Sequence, residues 1–255
     1  MEYRRYEELP VPEGAGMTFA PISNILISDE LNPINNSTGF PQWWKDIQRG
    51  DGGQGTFKSC EATQDFLLKG YTLKLWSTAV VRQRLDSTDW EIFYDAVPDN
   101  INKANDILRV GYFDYKQTGK CPMTEVREVK EANYVKLLNP WLMRTAPGYS
   151  SLILPTLYTP NPNFSVLPAI INTDYYHSGN VVMNVLAKDT FTIPMGTPLL
   201  HIIPFRRNDD NDMEILDETA YRFLAGRGFG TVIPPKNRKG LYRKMAKTIK
   251  KKLGE

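Results

Sequence analysis

Two residue types are scarce in this chain of 255 residues: it has two cysteines, Cys60 and Cys121, and two histidines, His177 and His201. Neither cysteine belongs to a CxxC pair, so a disulfide framework is excluded and at most one bridge could form. Two reduced thiols in a cytosolic compartment is the simplest arrangement. Long apolar runs are also missing. The longest, such as Leu152–Leu154 and Leu199–Ile203, are strand-sized, far short of the roughly 20 residues of a membrane-crossing helix, so no membrane span is expected. The amino-terminal stretch MEYRRYEELPVPEG lacks the apolar core of a signal peptide. Walker A, GxSxG and HExxH motifs are absent, which removes the commonest nucleotide, hydrolase and metalloprotease signatures.

What is present points to a β protein. Eighteen prolines and eighteen glycines are spread along the chain and 11% of the residues are aromatic, as expected of short strands joined by frequent turns. Residues 1–35 form an extended arm punctuated by Pro10, Pro12, Pro21 and Pro33, within which Asn24–Ile27 could add a strand to a sheet. Ser59–Lys69 reads as a short helix capped near Ser59 or Thr63 and stopped by Gly70. Beyond Gly70 the period changes to two over Tyr71–Trp76. Val80–Leu85 and Trp90–Tyr94 make a hairpin across Asp86–Asp89, and Arg109–Tyr115 is one more strand-like piece.

Tyr134–Phe205 is the strand-richest segment, with FSVLPAIINT (Phe164–Thr173) as one of its strands. Its turn signals are Pro147-Gly148, Pro160–Asn163, Ser178-Gly179 and Met195-Gly196. Alternating βα units are absent, which argues against a parallel α/β sheet. A helix over Asp212–Ala225 follows, ended by Gly226. The expected fold is therefore mainly β. It is a single barrel or sandwich, with a short N-terminal helix and C-terminal helices. Residues 1–235 are one β-rich domain and residues 236–255 a separate tail.

The net charge of +2 conceals an asymmetry: residues 1–235 carry −6 and the last 20 residues +8. The tail places Lys236, Arg238, Lys239, Arg243, Lys244, Lys247, Lys250, Lys251 and Lys252 around an apolar stripe of Leu241, Met245, Ile249 and Leu253 at helical spacing. Such a helix suits a polyanionic surface, either nucleic-acid phosphates or an anionic membrane, or a groove on a protein partner. The stripe could equally pack back on its own domain.

Other candidates carry less. Asp174 and His177, with His201 from a later strand, have a spacing a metal site would permit. A turn holding Asp and His needs no metal, however, and no metal or other cofactor is expected. Trp43, Trp44, Trp76, Trp90 and Trp141 read as core before they read as a ligand groove. Asn208–Asp212 lacks the spacing, glycine and terminal Glu of a calcium loop.

Two resemblances add to this. The stretches AIINTDY (Ala169–Tyr175), GTPLLHI (Gly196–Ile202) and GRGFGT (Gly226–Thr231) resemble, in order and spacing, motifs of the dUTPase and dCTP-deaminase family. The resemblance implies a β-clip barrel, commonly a trimer. It places Tyr175 at the sugar-packing position, Arg227 and Phe229 in the C-terminal motif, and Asn172 where the family has its water-activating Asp. An amide is no general base near neutral pH, and Leu154–Tyr158 (LPTLY) lacks the phosphate-holding Arg and Ser. No catalytic residue is therefore expected, and Asn172, Tyr175, Arg227 and Phe229 remain as ligand-binding candidates.

A longer pattern resembles an uncharacterised family of marine tailed phages. It runs through Pro41–Lys45, Lys58–Trp76, Asn139–Ser150, Ile171–Asp174 and Gly196–Arg206. That resemblance implies a β-sandwich or double-stranded β-helix core in a phage-encoded protein located in the virion or the host cytoplasm, with a homo-oligomer or another virion protein as partner. The leading expectation is a non-enzymatic, virion-associated or host-directed protein whose basic tail attaches it. A nucleotide-binding or nucleotide-hydrolysing dUTPase relative is the alternative, and a metal-dependent cupin-like enzyme the third.

Overall fold

A computed structural model describes residues 10–22, 24–48, 56–85, 89–95, 134–179, 181–207, 213–221 and 251. The chain divides into two compact units. One takes the chain up to Asn35 and from Gly70 to Arg207; the other takes Asn36–Lys69 and the chain from Asn208 onward.

The first unit carries all thirteen strands found among the described residues. They are β1 (Met17–Pro21), β2 (Ile34–Asn35), β3 (Tyr71–Lys74), β4 (Ala79–Gln83), β5 (Trp90–Tyr94), β6 (Tyr134–Leu137), β7 (Trp141–Thr145), β8 (Tyr149–Pro155), β9 (Phe164–Val166), β10 (Ala169–Ile171), β11 (Val181–Val185), β12 (Phe191–Ile193) and β13 (Pro198–Arg206). Every pairing is antiparallel. The sheets run β10-β8-β13-β3-β2, β6-β11-β9, β12-β4-β5 and β1-β7. The protein is thus mainly β, and its open sheets make a sandwich-like fold without a closed barrel among the described residues.

Alternation explains which faces turn inward. Val181, Met183 and Val185 of β11 are buried while Val182 and Asn184 are half-buried, and Phe164 and Val166 of β9 and Phe191 and Ile193 of β12 follow the same rule. In the central strand β13 the alternation disappears: Leu199, Leu200, His201 and Ile202 are all buried. A strand paired on both sides and covered on both faces reads as a continuous apolar run. Four tryptophans are structural. Trp44, Trp76, Trp90 and Trp141 are each at most 4% exposed, and the Trp76 indole donates to the Leu138 carbonyl at 3.1 Å.

The second unit holds α1 (Gln42–Asp46) and α2 (Glu61–Leu68). Trp44 of α1 stacks on Phe40 and is flanked by Phe57 and Trp43. The expected helix after Ser59 is α2, but its N-cap is Cys60, and no side chain closes the cap. Gly70, the first residue of the β unit after α2, has φ of +72°, and a Cβ there would drive into the Ile202 carbonyl of β13, so only glycine fits.

Three local expectations differ from the structure. Asn24–Leu26 is a 3-10 turn, and the arm instead adds β1, which pairs with β7. The stretch FSVLPAIINT is two strands, β9 and β10, that join different sheets across Leu167-Pro168; proline lacks the N–H that would continue a ladder. In the C-terminal segment, residues 213–217 are not helical and a helical turn occupies residues 218–221. Cys121, the Arg109–Tyr115 strand and the acidic run Asn208–Asp212 lie outside the described residues.

Candidate functional site

The site is assembled by register. β8 lies between β10 and β13, with Ile171 opposite Ser151 on one side and Phe205 opposite Ser150 on the other. The turn that follows β10, Asn172-Thr173-Asp174-Tyr175, therefore emerges beside the start of β8, and Arg207 emerges on the far side of the same strand end. Gly148, at φ +79°, turns the chain into β8 and sends its N–H to Asp174 Oδ2 at 3.0 Å. The Gly148 carbonyl accepts the Arg207 N–H at 2.9 Å.

Two hydrogen-bond chains run through this corner, and the donor inventory fixes their direction. In the first, Arg207 Nη1 donates to Ser150 Oγ at 3.2 Å, and Ser150 Oγ donates to Asn172 Oδ1 at 2.6 Å. Asn172 Nδ2 then donates to the Tyr175 hydroxyl at 2.5 Å. A guanidinium only donates, so each later group accepts from one side and donates on the other, and the Tyr175 O–H is left pointing onward. The second chain is buried. Thr145 Oγ1 donates to the Tyr149 carbonyl at 3.1 Å, so it accepts from Thr173, and Thr173 in turn accepts from Ser151, each hydroxyl pair lying 2.8 Å apart. Thr145, Ser150, Ser151 and Thr173 are at most 1% exposed, and these bonds make their burial affordable.

Asp174 is held in a fork by Arg207, Nη1 to Oδ1 at 2.8 Å and Nη2 to Oδ2 at 2.5 Å. The Arg207 hydrogen bonds, helped by the Gly148 N–H and opposed by partial burial, hold the Asp174 carboxyl below the usual carboxylate range. The guanidinium also lies 5.6 Å from the centre of the Tyr175 ring, on the cation–π side of contact. Tyr175 is 68% exposed, and its neighbours Tyr176 and Ile170 are exposed as well.

Of the sequence-derived candidates, the structure brings Asn172 and Tyr175 into direct contact. Arg227, Phe229 and the basic tail lie outside the described residues, save Lys251, which is helical and exposed. The Asp174, His177 and His201 combination is engaged otherwise. Asp174 is committed to Arg207. His177 Nδ1 lies 3.0 Å from the Thr173 carbonyl and 3.1 Å from the Met143 carbonyl, so that nitrogen carries the proton. His201 is buried within β13 opposite Leu154 and Thr72. Among the described residues no group of three or more His, Cys, Asp or Glu converges as a metal site would require.

The residues that sequence reasoning passed over are Ser150, Ser151, Thr145 and Arg207. One signal was available: Ser150-Ser151 are two hydroxyls inside an otherwise apolar strand, and buried hydroxyls demand partners.

No protein-family model matches the chain, and no curated protein matches it. Among solved structures, a native dUTPase of EIAV is similar at 13% identity with a TM-score of 0.26, over 35% of this chain and 72% of that one. A likeness that slight lends no weight to any functional reading.

Proposed function

We propose that this chain is a non-enzymatic β protein, of the phage-encoded kind its sequence pattern resembles, acting in the virion or on the host. In this reading the Asn172–Tyr175 turn is a rigid contact element, and the basic tail attaches the protein to a polyanionic surface. One observation carries it: both ends of the Asn172 amide are hydrogen-bonded within the protein, and the neighbouring carboxylate, Asp174, is neutralised by Arg207. A general base needs a free lone pair at a basic group within reach of a proton, and neither side chain offers one. The same network fixes the exposed Tyr175 ring at low entropic cost, as suits an aromatic anchor in an interface.

The test has two arms. Pyrophosphate release from the common deoxynucleotides with magnesium is expected to stay at background; efficient turnover that disappears in Tyr175→Ala would establish the nucleotide-hydrolysing alternative. The full chain is expected to bind duplex DNA or anionic vesicles with an affinity that falls steeply as salt rises, because neutralised phosphates release counterions. A chain carrying Lys247→Glu, Lys250→Glu and Lys251→Glu is expected to lose that binding. Equal binding by the two chains would remove the attachment role.

A further inference from the structure

A cleft of about 410 Å³ lies between β1, the loop leading to β2, and β3, walled chiefly by Phe19, Pro21, Ile27, Pro33 and Tyr71. Phe19 and Tyr71 meet edge to face, ring centres 5.3 Å apart. Both rings are half-buried, so part of each stays open to a ligand, and Ile27 stands 59% exposed. Every lining residue is neutral. A charged ligand would lose its water there and meet no opposite charge.

The same chain carries a segment of matching chemistry. Pro10-Val11-Pro12 precedes β1 and belongs to no helix or strand. It is uncharged, its backbone makes no hydrogen bond among the described residues, and Val11 is 48% exposed. Each proline fixes its own φ near about −65°, and Pro12 restricts Val11 to extended conformations. The segment is thus set toward polyproline II before any partner arrives, and such segments dock in aromatic-lined grooves at low entropic cost.

The arm does not occupy its own cleft. Glu13–Gly16 is a tight turn, with the Gly16 N–H on the Glu13 carbonyl at 2.9 Å and Gly14 at φ +51°, and none of Pro10, Val11 and Pro12 lines the cleft. Exchange of arms between two copies would cover both surfaces without opening that turn. Three arm residues and eight lining residues on each copy amount to about half of the 20–30 residues a side of a standard interface. The association is therefore weak and reversible.

We propose that the Pro10–Pro12 segment of one copy docks between Phe19, Tyr71 and Ile27 of a second copy, so that each chain completes the other's site. The inference goes beyond the proposed function and uses none of the residues of the Asn172–Tyr175 turn.

Sedimentation equilibrium of the full chain is expected to show an average mass that rises with concentration above that of one chain. Val11→Asp alters the arm and Ile27→Glu the cleft, both at exposed positions, and melting temperatures close to that of the unaltered chain check that each folds. Each variant alone is expected to sediment as a monomer. An equimolar mixture should recover part of the assembly, because one intact arm still meets one intact cleft. A labelled peptide of residues 7–14, EELPVPEG, is expected to bind the Val11→Asp chain saturably by fluorescence anisotropy and to leave the Ile27→Glu chain unbound. This readout stands even if one variant does not fold, since the unaltered chain can replace Val11→Asp and an Ile27→Ser chain can replace Ile27→Glu. An unaltered chain that is monomeric at every concentration, assembly unchanged by either substitution, or equal peptide binding by arm and cleft variants would each overturn the assignment.

Discussion

Replacing Asp174 by asparagine isolates the charge in the corner that joins β8, β10 and β13. The Asp174 side chain is 9% exposed and that of Arg207 27%, so the pair sits between the surface and interior cases. Exposed pairs are worth about 0–1 kcal/mol, and breaking a fully buried pair costs about 3–5 kcal/mol. Asparagine keeps one oxygen, which in the place of Oδ2 retains both the Gly148 N–H and the Nη2 bond, and the partly exposed Arg207 can recruit water to Nη1. The loss is then one charge-assisted hydrogen bond and the charge itself, about 2 kcal/mol. For a chain of this size that corresponds to a fall of about 4–8 °C in melting temperature.

The pH dependence tests the cause. Because Asp174 titrates lower in the folded protein than the unfolded carboxyl near 3.9, its contribution is fully present above that value and is lost as pH falls through the lowered one. Asparagine does not titrate. The gap between the two melting temperatures should therefore be constant from about pH 5 to 8 and should close in acid as the pH falls through the lowered value. Thermal unfolding followed by tryptophan fluorescence at matched ionic strength measures it. No gap at pH 7, or a gap that persists unchanged into acid, would refute the assignment of this stability to the carboxylate charge.

Two further substitutions probe the frame around the site. Thr173→Val removes the middle hydroxyl of the buried chain and strands the Ser151 hydroxyl and one acceptor of Thr145. A cost of about 2–4 kcal/mol is expected, read from the urea midpoint, whereas Thr173→Ser should cost far less. Gly70→Ala places a Cβ against the Ile202 carbonyl at a positive φ, so a loss above about 2 kcal/mol is expected, again by urea unfolding; a change below about 1 kcal/mol would mean the β3–β13 pairing yields easily there.

The β character, the Val80–Tyr94 hairpin, the helix before Gly70 and the positive-φ turns at Gly148 and Gly196 were legible from periodicity and turn chemistry, because those are local properties. The sheet partners were not. β9 and β10 are two residues apart in sequence yet belong to different sheets, and β3 pairs with β13 across more than a hundred residues. Nothing in either local pattern specifies those neighbours; shape and burial of the assembled core do. The candidate site divides the same way. Asn172 and Tyr175 stand three residues apart and were visible as a motif. Arg207 and Ser150 join them only because β8 is paired on both sides, which no spacing along the chain reveals.

That register also gives a physical reason for an amide at position 172. Asn172 and Asp174 share one short turn, and within it a single guanidinium, Arg207, meets a single carboxylate. An aspartate at 172 would still accept from Ser150, but it could not donate to the Tyr175 hydroxyl. It would also bring a second negative charge to a corner whose described counter-charge is already spent on Asp174. Two carboxylates competing for one cation raise the pKa of one of them, which would weaken the Arg207–Asp174 fork and release Tyr175. Asparagine accepts from one neighbour and donates to the other without adding charge, and so couples the buried end of β8 to an exposed aromatic ring. Asn172 is thus the residue that links Ser150 to Tyr175 within the turn.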